Sequence, residues 1–209
     1  LVRSRGLGDV YKRQAMHSSI SKLCHLMLSS GAPAFSKFID FADYASGPAL
    51  VKAISSDERL GSFVNVAGEW GRKLRKMSDD HTEGPMSSLR TVMTNLYQKS
   101  SAGTIVGGIG YSDKEKSIAS VNGVAYSMIG ETTPDTFYES LTNTMMQDGF
   151  MSRFIVIEYG GLRPELNTAT SATLSDEVHN TLINAAQEVL TCPPGGYRDV
   201  TLSRPAQDM

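Results

Sequence analysis

The chain has 209 residues, with 20 Lys plus Arg against 22 Asp plus Glu for a formal charge of −2, and 40% of its residues are hydrophobic. That balance fits one globular domain and excludes both a disordered chain and a strongly basic nucleic-acid coat, which needs excess cations to neutralise phosphates. Two cysteines, Cys24 and Cys192, are too few for a disulfide-stapled scaffold and favour a reducing, cytoplasmic setting, and no apolar run approaches the roughly 18 residues of a membrane-spanning helix.

Taken in chain order, the first segment stands apart. Asp9-Val10-Tyr11-Lys12-Arg13-Gln14 matches the reading-frame translation of a transposon-end sequencing adapter, so residues 1–14 are set aside as an artefact. They carry a net +3, from Arg3, Arg5, Lys12 and Arg13 against Asp9, which leaves −5 on the other 195 residues. The native chain is therefore expected to be truncated ahead of Ala15 and to stop within a domain at Met209.

From Ala15 to Ser30, Ile20, Leu23, Cys24, Met27 and Leu28 recur at helical spacing, and Gly31 can close the helix. Phe38, Ile39 and Phe41 suggest a short strand. Ser46 to Ser55 reads as a helix capped by Ser46, with Pro48 in its first turn. Phe63 to Ala67 reads as a buried strand ending at Gly68-Glu69-Trp70-Gly71. Pro85 opens a helix to Lys99 whose Met86, Leu89, Met93, Leu96 and Tyr97 share a face. The glycine-rich stretch from Ile105 to Val121 suggests a hairpin, and Val124 to Ile129 a strand. Thr133 and Pro134 start a helix carrying Phe137, Leu141 and Met145. Phe154 to Ile157 reads as a third buried strand, and Ser175 caps a final long helix with Val178, Leu182, Ala186 and Val189. Pro193-Pro194-Gly195-Gly196 then precedes a short strand from Asp199 to Leu202. Apolar strands alternating with amphipathic helices predict an α/β fold with a mainly parallel sheet covered on both faces. In such sheets ligands sit beyond the carboxyl ends of the strands.

Three segments carry a resemblance: Phe63 to Gly71, Tyr126-Ser127-Met128-Ile129-Gly130-Glu131-Thr132-Thr133-Pro134, and Asp148-Gly149-Phe150-Met151-Ser152-Arg153-Phe154. In this order and spacing they resemble a family of RecA-like P-loop ATPases found in phage and plasmid primase-helicases and replication proteins. The likeness spans roughly residues 15–167. It implies a RecA-like P-loop NTPase core that binds ATP and Mg²⁺, acts on single-stranded DNA, and assembles as a homo-oligomer, a hexameric ring, in the cytoplasm. The family's phosphate-binding loop lies just before the first core helix, here Ala15 to Ser30. This sequence contains no G-x-x-x-x-G-K-[ST], and Gly107-Gly108-Ile109-Gly110 lacks the lysine and the following helix, so the core is expected to be incomplete, without its first strand and phosphate loop.

Hydrolysis of a γ-phosphate needs an oriented water and neutralised charge on the equatorial oxygens. By the resemblance, Glu69 is the Walker B carboxylate that polarises water or supports Mg²⁺ indirectly; otherwise it is a solvated acid. Glu131 equally suits the water. Thr132 and Thr133 fit a γ-phosphate sensor, with Thr133 alternatively a helix cap. Arg153 resembles an arginine finger supplied to a neighbouring subunit; the alternative is a structural arginine at a strand start, paired with Asp148. Arg72, Lys73, Arg75 and Lys76 are candidates for a DNA-facing cluster, against the plainer reading of a solvated helix face. Lys114 and Lys116 suit a pore loop. The four histidines, His17, His25, His81 and His179, show no metal-binding spacing, no G-x-S-x-G elbow is present, and the ten methionines fit flexible core packing. A motor enzyme and a non-catalytic RecA-like scaffold or DNA-binding module both remain open, and the pairing of Glu69 with Arg153 favours the motor.

Overall fold

The computed structural model describes residues 20–25, 37–56, 62–79, 84–100, 103–158 and 175–191. Helix α1 covers 20–25. It is followed by β1 (Ile39–Asp40), α2 (Gly47–Ile54), β2 (Ser62–Ala67), α3 (Trp70–Met77), α4 (Pro85–Lys99), β3 (Ile105–Val106), β4 (Val121–Asn122), β5 (Ala125–Gly130), α5 (Pro134–Ser140), α6 (Asn143–Gln147) and α7 (Asp176–Leu190).

Strands β1, β2 and β5 form a parallel sheet in that order, with Val64 opposite Ile39 and Ala67 opposite Gly130. Parallel neighbours need long crossovers. Helix α2 supplies the first; α3, α4 and the hairpin supply the second. The expected α/β class and parallel sheet are thus present.

Local chemistry accounts for the helices. Ser46 caps α2 by accepting Ala49 N–H at 3.4 Å, with Pro48 in the first turn, where its missing N–H costs nothing. In α3 the buried residues Trp70, Leu74 and Met77 recur every three to four positions, and Leu89, Met93 and Leu96 do the same in α4. With Leu50 and Ile54 of α2 and Phe63 of β2 they form one apolar core on one side of the sheet. A smaller cluster joins Leu23 of α1 to Leu182, Ile183 and Ala186 of α7.

Four expectations change. Phe154 to Ile157 is not a buried strand: it pairs with nothing, and Ile155 and Ile157 are 92% and 90% exposed. An apolar run alone does not supply the neighbouring strand that burial requires. The helix from Pro134 through Met145 is two helices, broken where Leu141 turns extended and Thr142 caps α6 by accepting Met145 N–H. The second face of the sheet is only partly covered, since Ala125, Ser127 and Ile129 of β5 are exposed. The hairpin is short, pairing β3 with β4 antiparallel, with one further bridge from Ile109 to Ile118. Residues 1–14, the helix termini at Ala15 and Ser30, Cys192 and the strand expected at Asp199 to Leu202 lie outside the described residues.

Leu74 is fully buried at the centre of the core, where α3 meets α4. Leu74→Ala is expected to cost about 2–5 kcal/mol, seen as a lower urea midpoint at an unchanged slope.

Candidate functional site at the carboxyl ends of β2 and β5

The two central strands end level with each other, and their pairing runs on past the last ladder residues. Glu131 N–H donates to Ala67 O at 3.3 Å, and Trp70 N–H donates to Glu131 O at 2.9 Å. Two glycines let the exits interlock. A Cβ on Gly130 would lie 3.0 Å from Trp70 Cβ, and one on Gly71 would lie 2.1 Å from Thr132 Oγ1. The small residues of both resembling segments are therefore packing requirements where α3 and α5 meet. Gly71→Ala is expected to destabilise the fold by about 1–3 kcal/mol, because Thr132 and Thr136 must move; a thermal melt measures it.

Between Ala67 and Trp70 stands Glu69, which adopts left-handed backbone geometry with φ of 51°. No other non-glycine residue among those described has positive φ. Such geometry costs a residue with a Cβ about 1–2 kcal/mol. The Glu69 carboxylate is half-exposed and pairs with Arg72 one turn along α3 at 3.1 Å. An exposed pair of this kind contributes at most about 1 kcal/mol. Glu69→Gly is expected to raise stability by about 1 kcal/mol by relieving the backbone, whereas Glu69→Ala, which keeps the Cβ, leaves it within about 0.5 kcal/mol; parallel urea titrations separate the two.

Glu131, Thr132, Thr133 and Arg153 line one cleft of about 1120 Å³ that opens along β5. Its apolar walls include Trp70, Tyr126, Phe137 and Phe154. Within it, Thr132 Oγ1 donates to Thr133 O at 3.3 Å, and the Thr133 and Thr136 hydroxyls bond at 2.8 Å. Thr133 occupies the cap position of α5 without making the capping bond.

The Asp148-Gly149 segment makes the turn that presents Arg153. Asp148 Oδ1 accepts Phe150 N–H at 2.9 Å, Gly149 takes φ of 75°, and Phe150 and Met151 enter the core. The partner of Asp148 is Arg90, whose Nε lies 2.9 Å from Oδ2, so the alternative pairing of Asp148 with Arg153 is overturned. Arg90 also donates to Met77 O at 3.0 Å. Arg153 is left to bond Gly149 O and to lie over the Tyr97 ring, 5.3 Å from its centre, while its Nε is buried without a hydrogen-bond partner.

The basic cluster divides. Lys73 is largely buried, bonds Tyr44 O at 2.7 Å and pairs with Asp43, which makes it a strut between α3 and the loop after β1. Arg72 pairs with Glu69, and Arg75 lies 3.8 Å from Glu139. Lys76 is exposed. Lys114 and Lys116 fall in a 3₁₀ turn at the hairpin tip, away from the cleft lining.

Sequence reasoning missed a buried polar cluster at the end of β1. Asp40 and Asn65 are 4% and 3% exposed. Asp40 accepts from Ala42 N–H at 3.0 Å and from the Tyr44 hydroxyl, and Asn65 Nδ2 donates to Ala42 O at 3.0 Å. An acid and an amide at the ends of neighbouring strands were the available signal. Burial, and secondarily the charge of Asp40, push the Tyr126 phenol above its ordinary range. A raised folded-state value means that stability is intact below the ordinary tyrosine pKa of about 10 and falls as pH rises beyond it, since only the unfolded chain then releases the proton. Tyr126→Phe, which keeps the ring packed edge-on to Phe63, is expected to remove part of this alkaline loss in urea titrations on either side of that pH.

Among the described residues, no group of three or more His, Cys, Asp or Glu side chains is arranged to hold a metal ion, and no helix is long and apolar enough to cross a membrane. The chain matches no protein-family model, no curated protein and no solved structure.

Proposed function

We propose that this chain carries the strand-end part of an ATP-hydrolysing site, in a RecA-like motor domain of a replication helicase or primase-helicase that acts on DNA as an oligomer in the cytoplasm. The single observation that carries the reading is Glu69, an acid held in costly left-handed geometry at the carboxyl end of the central strand, where its own ion pair is too exposed to offset the cost. Strain of this kind is retained where a side chain must point at a ligand. Glu131 ends the adjacent strand, and Arg153 lines the same cleft as Glu131.

Mg²⁺ in nucleotide sites is held by one or two carboxylates together with phosphates and water, a demand that Glu69 and Glu131 suit without a dedicated cage. A phosphate cradle is a different matter. The sequence has no G-x-x-x-x-G-K-[ST], so the reading requires a lysine-bearing glycine turn from another segment. ATP, when bound, supplies the phosphoanhydride to be cleaved. Of this chain's residues, Glu69 orients water or supports the ion, Glu131 shares that task, and Arg153 brings positive charge to a site in its own or a neighbouring subunit. Arg72, Arg75 and Lys76 remain as the DNA-facing candidates, together with Lys114 and Lys116.

A second reading, a non-catalytic RecA-like module, draws on specific contacts. The Thr132 and Thr133 hydroxyls are engaged locally, and Arg153 is stacked on Tyr97, so neither sensor nor finger is poised toward a phosphate.

In a protein joining this chain to such a glycine turn, DNA-stimulated ATP hydrolysis is expected, and Glu69→Gln and Arg153→Ala should each lower kcat by about 10³ or more. If Arg153 serves a neighbour, mixing the two inactive variants restores part of the rate. Undiminished turnover in both variants overturns the catalytic reading.

A further inference from the structure

The outer edge of β5 and the segment from Phe154 to Ile157 face each other across the cleft. Strand β5 bonds β2 along one edge through six residues, and among the described residues nothing pairs with its other edge. An unpaired parallel edge is a template for another strand, and proteins that leave one open usually blunt it with lysine, proline or a bulge. Ala125-Tyr126-Ser127-Met128-Ile129-Gly130 has none of these. On the far wall, Ile155 and Ile157 are almost wholly exposed, and Val156 is 53% exposed. Three consecutive apolar side chains left in water beside an open sheet edge lose the stabilisation that burial of each would bring.

We infer that the cleft is a slot for one further β-strand, an extended apolar peptide segment of five or six residues from outside those described, lying parallel to β5 between it and Phe154 to Ile157. One added strand sits about 4.8 Å from each neighbour, so it would bring the two walls into one sheet. Its length is set by β5. Its direction follows from a sheet in which β1, β2 and β5 all run the same way. Its composition follows from its surroundings: one face would meet Trp70, Leu74, Met93 and Phe150, which line the cleft, and a central parallel strand is apolar on both faces. Recognition is by main-chain hydrogen bonds for affinity and apolar pockets for selectivity, the mode of strand addition. This chemistry is independent of any nucleotide at the strand ends.

The test uses the whole 209-residue chain and a synthetic peptide with a Val-Ile-Val-Val-Ile core flanked by lysines. Trp70 is the chain's single tryptophan and lines the cleft, so its fluorescence reports occupancy. The expected result is a saturable fluorescence change, with slowed amide exchange at residues 125–130 and 154–158 together. A peptide with proline at its centre, which lacks a donor there, should bind at least tenfold more weakly. The double variant Ile155→Lys, Ile157→Lys should weaken binding by a similar factor while leaving the circular dichroism unchanged, since both side chains are already exposed. Equal binding by the proline peptide, or slowed exchange on one wall only, overturns the inference. Residues 125–130 already protected without peptide would overturn it too: at all concentrations this means the slot is filled within the chain, and if it grows with chain concentration it assigns the edge to a second copy.

Discussion

The in-register pairing of β2 with β5 is the constraint on which the rest of the molecule depends. Six residues on each strand run side by side, and the bonds from Glu131 to Ala67 and from Trp70 to Glu131 carry the pairing past the strands. Because the ladder has fixed register, both chains leave the sheet at one height, and their acids emerge side by side. A slip of one residue would turn Tyr126 and Met128 away from the core and send Ala125, Ser127 and Ile129 into it. Gly130 and Gly71 then set how closely the exits approach. Their missing side chains let α3 and α5 lie against the strand ends and against each other.

Polar groups do elsewhere what hydrogen-bond ladders do at the centre. Strand β1 is two residues long, too short to hold its place by main-chain pairing alone. Asp40, Tyr44 and Asn65 fasten it to β2 from within, and Lys73 ties the following loop to α3. Buried polar groups are tolerable only when satisfied, and each of these is. This explains why a lysine in an otherwise solvated-looking basic run is the least exposed member of that run. Charge composition identified the run, but the contacts of Lys73 depend on the loop carrying Asp43 and Tyr44, which lies some 30 residues earlier.

The legible features were those set by local chemistry. The Ser46 cap, the apolar face of α4, the β2 run and the hairpin each follow from residues close in the chain, and each is present. The third strand failed because Phe154 to Ile157 has the right composition but no neighbour to pair with, and strand formation is a property of pairs. The helix after Pro134 failed at Leu141, where the Thr142 cap outcompetes continuation. Glu69 was legible as an acid after a strand, but its left-handed backbone was not, since positive φ is ordinarily signalled by glycine or asparagine and here the preceding Gly68 does not take it. The aromatic lining of the cleft arises from residues spread between Trp70 and Phe154, which no spacing rule connects.

Arg90 has a mechanical consequence. It grips the last turn of α3 through Met77 O and the start of the arginine-bearing turn through Asp148, while the first turn of α3 is anchored at Glu69 and Trp70. Helix α3 is thus a rigid rod tethered at both ends, one end to the acid and the other, by way of a guanidinium, to the turn that carries the cation. Any displacement of the acid along that rod pulls on the cation as well, so the two charges on the rim of the cleft are geared together by a route that bypasses the sheet.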